Sequence, residues 1–338
     1  MTRILISFTF FLCQFSLASI AQGDDRPPFD TWLAGIKQQA IERGISAQTA
    51  SVLDDIEPDP RVLGFDRKQP EFVQTFEQYL TARVTDARIK TAREQFRQHR
   101  ALLSSIGDKY GVDPQFIVAF WGLESSFGRY QGKYSVVRSL ATLAYDPRRT
   151  TFFTKELFAA LRILDEGHVT PDAFTGGWAG AMGQNQFLPS SFLRYAQDFD
   201  GDGKKNIWND EADVWASIAN YLSQNGWKKH AGWGTRVQVP ASFDFDAVMP
   251  EKVASGCTAL KEHTRKMPAA KWKALGVRFD PDGLNSSAYA LVVPDDGETV
   301  TYLVGGNFRS ILSYNCANKY AVSIGLLADL VAEGGDDD

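Results

Sequence analysis

Apolar residues recur at three-to-four spacing over most of the first two-thirds of the chain, a period that predicts helices. Between Pro27 and about Leu102, Trp32-Leu33, Ile36 and Ala40-Ile41 share one helical face, and Val73, Phe76, Tyr79-Leu80 and Val84 repeat the pattern. The stretch 54–69, rich in Pro, Asp and Arg, predicts an extended crossing. Asp113-Pro114 opens a further helix with a capping residue and a proline at the first helical position, followed by the apolar run QFIVAFWGLE. Helical patterns continue over 136–143, 152–164, 186–195 and 212–222, interrupted by the Gly-rich stretch 175–183. Beyond Gly226 the character changes. Residues 233–239, 289–293 and 299–304 carry the alternating or β-branched signature of strands, with Pro294-Asp295-Asp296-Gly297 as a turn. A small-residue helix over 320–331 closes the chain. The expected fold is mainly α (α+β): a large helical domain over 27–230 and a small antiparallel β subdomain with the terminal helix over 231–334.

The N-terminus stands apart from this pattern. Arg3 precedes an apolar run over 4–17 and small residues around Ser19 and Ala21, which predicts a secretory signal peptide over 1–21. The run is shorter than the roughly 20 residues of a membrane span. Cys13 follows Phe10-Phe11-Leu12, where a lipidation signal would want small residues, so the expected product is soluble, unlipidated and periplasmic. About 317 residues then remain, enough for a sizeable core. The net charge of −5 argues against nucleic acid as partner, and Asp336-Asp337-Asp338 reads as a solvated acidic end. Of the cysteines, Cys257 and Cys316 survive export. In an oxidising compartment they form one disulfide or remain two buried thiols.

Candidate chemistry centres on Glu124. It falls in the last turn of a helix apolar on all sides, with Phe120 and Trp121 one turn back. A carboxyl in such surroundings keeps its proton to higher pH, as a general acid must. The alternative is a surface Glu at a helix end, or one paired with Arg129. Ser125-Ser126-Phe127-Gly128 then offers small residues where a bulky ligand approaches the backbone. The strip 176–187 supplies glycines followed by the amides Gln184, Asn185 and Gln186, suited to N-acetyl sugars; a tight helix contact explains some of the glycines but not the amides.

Asp198, Asp200, Asp202, Gly203 and Lys204 follow EF-hand spacing up to the seventh place, but Asn209 stands where the twelfth-place Glu belongs. The loop is either a calcium site or a solvated Asx-rich turn. The four histidines have no metal-ligand spacing, and no G-x-S-x-G elbow makes Ser125 or Ser126 a nucleophile.

Four segments, WGLESSFG, ATLAYDPRR, GWAGAMGQNQFLPSSF and DFDGDGKKNIWNDEADVWASIANYL, in this order resemble the B-type lytic murein transglycosylases of glycoside hydrolase family 103. The resemblance runs from about Phe29 to Leu330. It implies a lysozyme-like helical catalytic core and a lyase that cleaves the MurNAc-β-1,4-GlcNAc bond of peptidoglycan strands, with Glu124 as sole acid and base and no catalytic cofactor. Gln186, Phe187, Tyr79, Tyr221, Tyr314, Asn315 and Tyr320 match cleft positions, Arg148 and Arg149 match an arginine pair near glycan and peptide, and Ser125 counts among the substrate contacts. Asp213 matches the last metal carboxylate, in a loop spanning 198–213 whose calcium would be structural. Gly177 stands where relatives more often carry Ser, which removes a hydroxyl contact to the N-acetyl group. The rivals are a hydrolytic muramidase with Asp146 or Asp165 as base, and a non-catalytic peptidoglycan-binding scaffold within cell-wall synthesis or secretion machinery.

Overall fold

The structure, a computed structural model, describes residues 26–68, 74–252, 256–282, 284–294 and 300–334. The expected signal peptide, Val73, the turn after Pro294 and the acidic end lie outside the described residues. No helix among the described residues is long and apolar enough to cross a membrane.

The first half is built from α1 (Phe29–Glu42), the single turn α2 (Ala47–Ala50), α3 (Pro60–Lys68), α4 (Phe76–Arg83), α5 (Asp86–Gln98), α6 (Arg100–Tyr110) and α7 (Pro114–Ser125). α1 buries Leu33, Ile36 and Ala40, the face that its spacing predicts. The crossing expected over 54–69 is in part helical, because Pro60 opens α3 and Asp59 accepts a 3.0 Å bond from Arg61 N. Proline suits a first turn, whose N–H groups have no helical partner, so a loop-like composition concealed a helix start. At the head of α4, Thr75 and Gln78 form a capping box. Asp113 precedes α7 but caps no helical N–H. Its carboxylate accepts instead from Trp227 Nε1 at 3.1 Å and His230 N at 3.0 Å, tying the helix start to a distant segment.

The chain continues through β1 (Tyr134–Ser135), α8 (Val136–Tyr145), α9 (Thr150–Asp165), β2 (Thr175–Gly176), α10 (Pro189–Tyr195) and α11 (Glu211–Gln224). β1 and β2 pair antiparallel, Tyr134 opposite Gly176. Next come β3 (Gly234–Val237), α12 (Ala269–Ala274), β4 (Ala290–Val292), β5 (Thr301–Val304), α13 (Gly306–Tyr314) and α14 (Asn318–Glu333).

Strands β3, β5 and β4 form an antiparallel sheet in that order, with Leu303 between Thr235 and Leu291. Both faces are covered. Ala290, Val292, Tyr302 and Val304 join the main core, whereas Val237, Leu291 and Leu303 join a small second core with Val248, Trp272 and Val277. That double burial holds for β4 and β5, every residue of which is buried. The helical body and the antiparallel sheet bear out the mainly α reading. The two parts share one packing unit: the main core runs from Leu33 to Val331, and α14 returns from the sheet to pack along α7, α5 and α4. Gly325 of α14 makes room for the Trp233 ring, which a Cβ there would meet at 2.3 Å. Helix α7, packed also by α5, α6 and α11, is thereby enclosed on all sides but its C-terminal end.

Candidate active site

That C-terminal end is shaped by a tight reversal. Ser126, Phe127 and Gly128 follow one another at φ 51°, 61° and 80°, a left-handed run that is costly for the two side-chain-bearing residues. Close packing holds it. The Phe127 ring occupies the place of a side chain at Gly122, whose Cβ would lie 2.8 Å from it, and Gly128 admits the Gln184 amide, which accepts a 2.6 Å bond from Trp121 Nε1. Ser125 is 1% exposed; its hydroxyl donates to Trp121 O and accepts from Gly128 N at 3.0 Å. The hydroxyl of Ser125, an expected substrate contact, is thus engaged in the turn behind Glu124.

Glu124 emerges from this turn into a recess of about 690 Å³, lined also by Tyr79 and Arg83 of α4, by Gln186, by Thr258, Ala259 and Glu262, and by residues 315–320. It is partly exposed at the recess surface, and its Oε1 accepts a short hydrogen bond from the Tyr320 hydroxyl. Its neighbour is Tyr320 rather than Arg129, which stays exposed. Burial pushes the Glu124 carboxyl up to about 7, against the Tyr320 bond and the Arg83 charge, which both pull it down. Desolvation disfavours the anion more than one phenol and one cation favour it. Tyr314 and Tyr320 are themselves raised by burial and then by the Glu124 charge, so both remain protonated donors.

Among the other expected contacts, Tyr79, Gln186, Asn315 and Tyr320 line the recess. Gln186 adopts φ 50° and donates from Nε2 to Gly183 O at 2.9 Å and Gln131 O at 3.2 Å. Tyr314 packs against Phe120 at 4.8 Å with the rings tilted, and it donates to Asn185 O at 2.6 Å. Phe187 and Tyr221 are only 2% and 8% exposed and do not line the recess. They pack on Tyr314 at 5.6 and 4.7 Å, and Tyr221 donates to Ser313 O, so they buttress the recess from behind. Arg148 and Arg149 do not line it either. Arg148 pairs with Asp66 at 2.7 Å and Asp146 at 2.9 Å, and Arg149 pairs with Asp66 at 3.4 Å. Asp165 is likewise engaged elsewhere, by Ser46 N and Arg162.

Sequence reasoning missed Arg83, Glu262 and Asn318. Arg83 was within reach, four residues after Tyr79 and so on the same helical face. Glu262 had no such signal, because it sits in the irregular 3₁₀ turn Thr258–Glu262. A disulfide joins Cys257, before that turn, to Cys316.

The acidic loop lies apart from the recess. Asp198, Asp200 and Asp202 bring one oxygen each to within 4.8 Å of one another. Asp198 accepts from Gly201 N and Gly203 N, and Asp202 accepts from Lys204 N. Asp213 is not gathered with them. It is 1% exposed, and its two oxygens accept from Phe199 N at 2.6 Å and Asn206 N at 2.7 Å, so it braces the loop from inside. The trio, with the Lys204 carbonyl at the seventh place, fits a hard cation in charge and oxygen content but lacks a twelfth-place carboxylate.

Residues 28–329 match the family described as Transglycosylase SLT domain. A curated relative, membrane-bound lytic murein transglycosylase B of Escherichia coli K12, is 34% identical over 239 residues, 70% of this chain. That match spans 62% of the relative's own length. SltB3 from Pseudomonas aeruginosa, solved in complex with NAG-NAM-pentapeptide and with NAG-anhNAM-pentapeptide, superposes with a TM-score of 0.82 at 39% identity, covering 91% of this chain and 80% of that one. The Escherichia coli lytic transglycosylase Slt35 in complex with calcium gives 0.74 at 28% identity, covering 91% and 94%.

Proposed function

The chain belongs to the Transglycosylase SLT domain family, and from that membership we propose that it is a lytic murein transglycosylase. The substrate is the glycan strand of peptidoglycan, cut between N-acetylmuramic acid and N-acetylglucosamine. Glu124 in its acid form gives its proton to the bridging oxygen as the bond from C1 breaks. The resulting carboxylate then takes the proton of the muramoyl 6-hydroxyl, and O6 closes on C1 to form the 1,6-anhydro ring. No water enters, and the carboxyl returns to its starting state. The observation that carries this reading is a single carboxyl raised to about 7 at the surface of a recess, hydrogen-bonded by Tyr320, so that acid and base forms are both accessible near neutrality.

A hydrolase would need a second carboxylate to activate water across the sugar ring. Asp146 and Asp165 are committed to Arg148 and to Ser46 and Arg162. Glu262, the other carboxylate at the recess, accepts one bond from Asn318 on Oε2 and keeps its second oxygen open, so product analysis is what separates the two readings. That SltB3 was solved with NAG-anhNAM-pentapeptide also favours the lyase. Mass spectrometry of digested sacculi tests the proposal: anhydro-muropeptides are expected, and reducing ends alone overturn it. A scaffold that binds without turnover would release neither.

The acidic loop is read as a structural calcium site made by Asp198, Asp200, Asp202 and the Lys204 carbonyl, a cation that would staple the 198–204 turn without entering the reaction. Periplasmic location is supported by the N-terminal export pattern and by a disulfide that an oxidising compartment would maintain.

A further inference from the structure

The turn Thr258–Glu262 presents a carboxylate to the recess that the reaction leaves unused. Glu262 is exposed there, and its Oε2 accepts a 2.7 Å bond from Asn318 Nδ2. Asn318, at the first turn of α14, is 4% exposed and fully employed. It donates also to Ala259 O at 3.2 Å, and its Oδ1 lies 2.9 Å from His263 Nε2. Since both Asn318 donor hydrogens are used, His263 is the donor of that pair. Burial holds the imidazole down at about 4, so it is neutral and has one N–H to give. The Cys257–Cys316 disulfide clamps the same turn to the segment before α14. The carboxylate is thus oriented by a buried amide whose own orientation is locked.

No protein cation balances it: among the described residues none stands within ion-pair distance of Glu262. Lys319, the next residue along α14, turns its ammonium to Gln74 O on the α4 side, where Arg83 also lies. The recess therefore carries positive charge beside α4 and one fixed negative charge at the 3₁₀ turn. A carboxylate held rigid and left unneutralised is a strong acceptor for a charged donor. The stem peptides of murein offer both signs, free carboxylates and the side-chain amine of a diamino acid.

We propose that Glu262 is a specificity residue that receives an ammonium group of the stem peptide on the strand being cleaved. The inference rests on the lytic transglycosylase reading. Its test compares kcat/KM for anhydro-product release from strands with free stem amines and from the same strands after acetylation of those amines. The wild type should prefer the free-amine strands by roughly tenfold, the scale of a charge-assisted hydrogen bond. In Glu262→Gln, which keeps the shape and the Asn318 bond, that preference should collapse to about one. Because the readout is a ratio within one variant, a general loss of activity cancels. A wild type without preference, or a variant that retains it, overturns the inference. If the variant turns over too slowly, co-sedimentation with untreated and acetylated sacculi gives the same ratio. A wild type that releases no anhydro products sinks the lytic reading alone, and the sedimentation ratio still decides the role of Glu262.

Discussion

Glu124 accepts one hydrogen bond, from a phenol that is itself buried, and lies beside Tyr314 and Tyr320. Asp198, in the exposed loop before α11, accepts from two backbone N–H groups and stands with two further carboxylates. The same functional group meets opposite fates. At Glu124 burial outweighs the donors and the carboxyl is raised to about 7. At Asp198 burial also pushes upward, but the N–H groups of Gly201, Gly203 and Asp202 and a hydrogen bond with Asp200 together outweigh it, and the carboxyl ends lowered. The supply of donors relative to burial decides whether a carboxyl keeps a proton or stays an anion fit for a cation.

The most severe way to break the comparison is Glu124→Gln. Both proton transfers go through this one group, so activity on sacculi should fall by roughly 10³–10⁴-fold. Stability should move the other way. A carboxyl raised in the folded state binds protons more tightly than in the unfolded chain, so it costs stability as pH rises from about 4.5 to about 7. Below that window both states are protonated and nothing is lost; above it the full cost is felt. The variant should therefore exceed the wild type by about 3 kcal/mol at pH 8 and match it near pH 4 in denaturant titrations. Equal stability at pH 8 would mean that the raised carboxyl is not a feature of the folded protein.

The two regions also differ in how far the sequence revealed them. The acidic loop lies within seven consecutive residues, 198–204, so spacing alone displayed it. Glu124 was readable from the apolar helix around it, but the partner that holds it was not, because Tyr320 lies 196 residues away and meets it only where α14 packs on α7. Family resemblance marked Phe187 and Tyr221 as cleft positions and could not tell a ring facing sugar from one that supports it. The pairing of Arg148 and Arg149 with Asp66 was not legible, since Asp66 falls in a stretch expected to be extended and is in fact in α3. The helices themselves were legible wherever one face alone is buried, as in α1 and α9.

Tyr320→Phe sharpens the account of Glu124 by removing its donor. The lost bond favours the anion, so the Glu124 carboxyl should rise further and the alkaline limb of the pH profile should move to higher pH. A tenfold drop in kcat, roughly the worth of one hydrogen bond to a charged group, should accompany it. A limb that stays in place would separate the tyrosine from the proton balance. At the other carboxylate group, chelation with EGTA should lower the melting temperature by about 5 °C, as loss of a ligand bound well above its dissociation constant would. Asp198→Asn should abolish that difference between calcium and EGTA. A chelation effect that persists in the variant would place the cation elsewhere.

The smallest effect is expected at Gly177. A Cβ there meets Gln186 Oε1 at 3.6 Å and Ala181 O at 3.7 Å, both ordinary contacts, and the backbone is not left-handed. Its neighbour Gly176 is different, for a Cβ would lie 2.2 Å from Ala181 O. Gly177→Ser should therefore fold as well as the wild type, whereas Gly176→Ser should unfold at distinctly lower temperature. At 177 the new hydroxyl stands beside Gln186, which lines the same recess as Glu124, and should lower KM by about threefold through one added neutral hydrogen bond to substrate. It supplies no donor to Glu124 itself, whose protein donor is Tyr320. The alkaline limb should then stay where it is while KM falls. If the limb moves instead, the acid is governed by the polarity of the whole recess rather than by burial and one phenol, and the contrast with the donor-rich aspartate loop becomes one of degree.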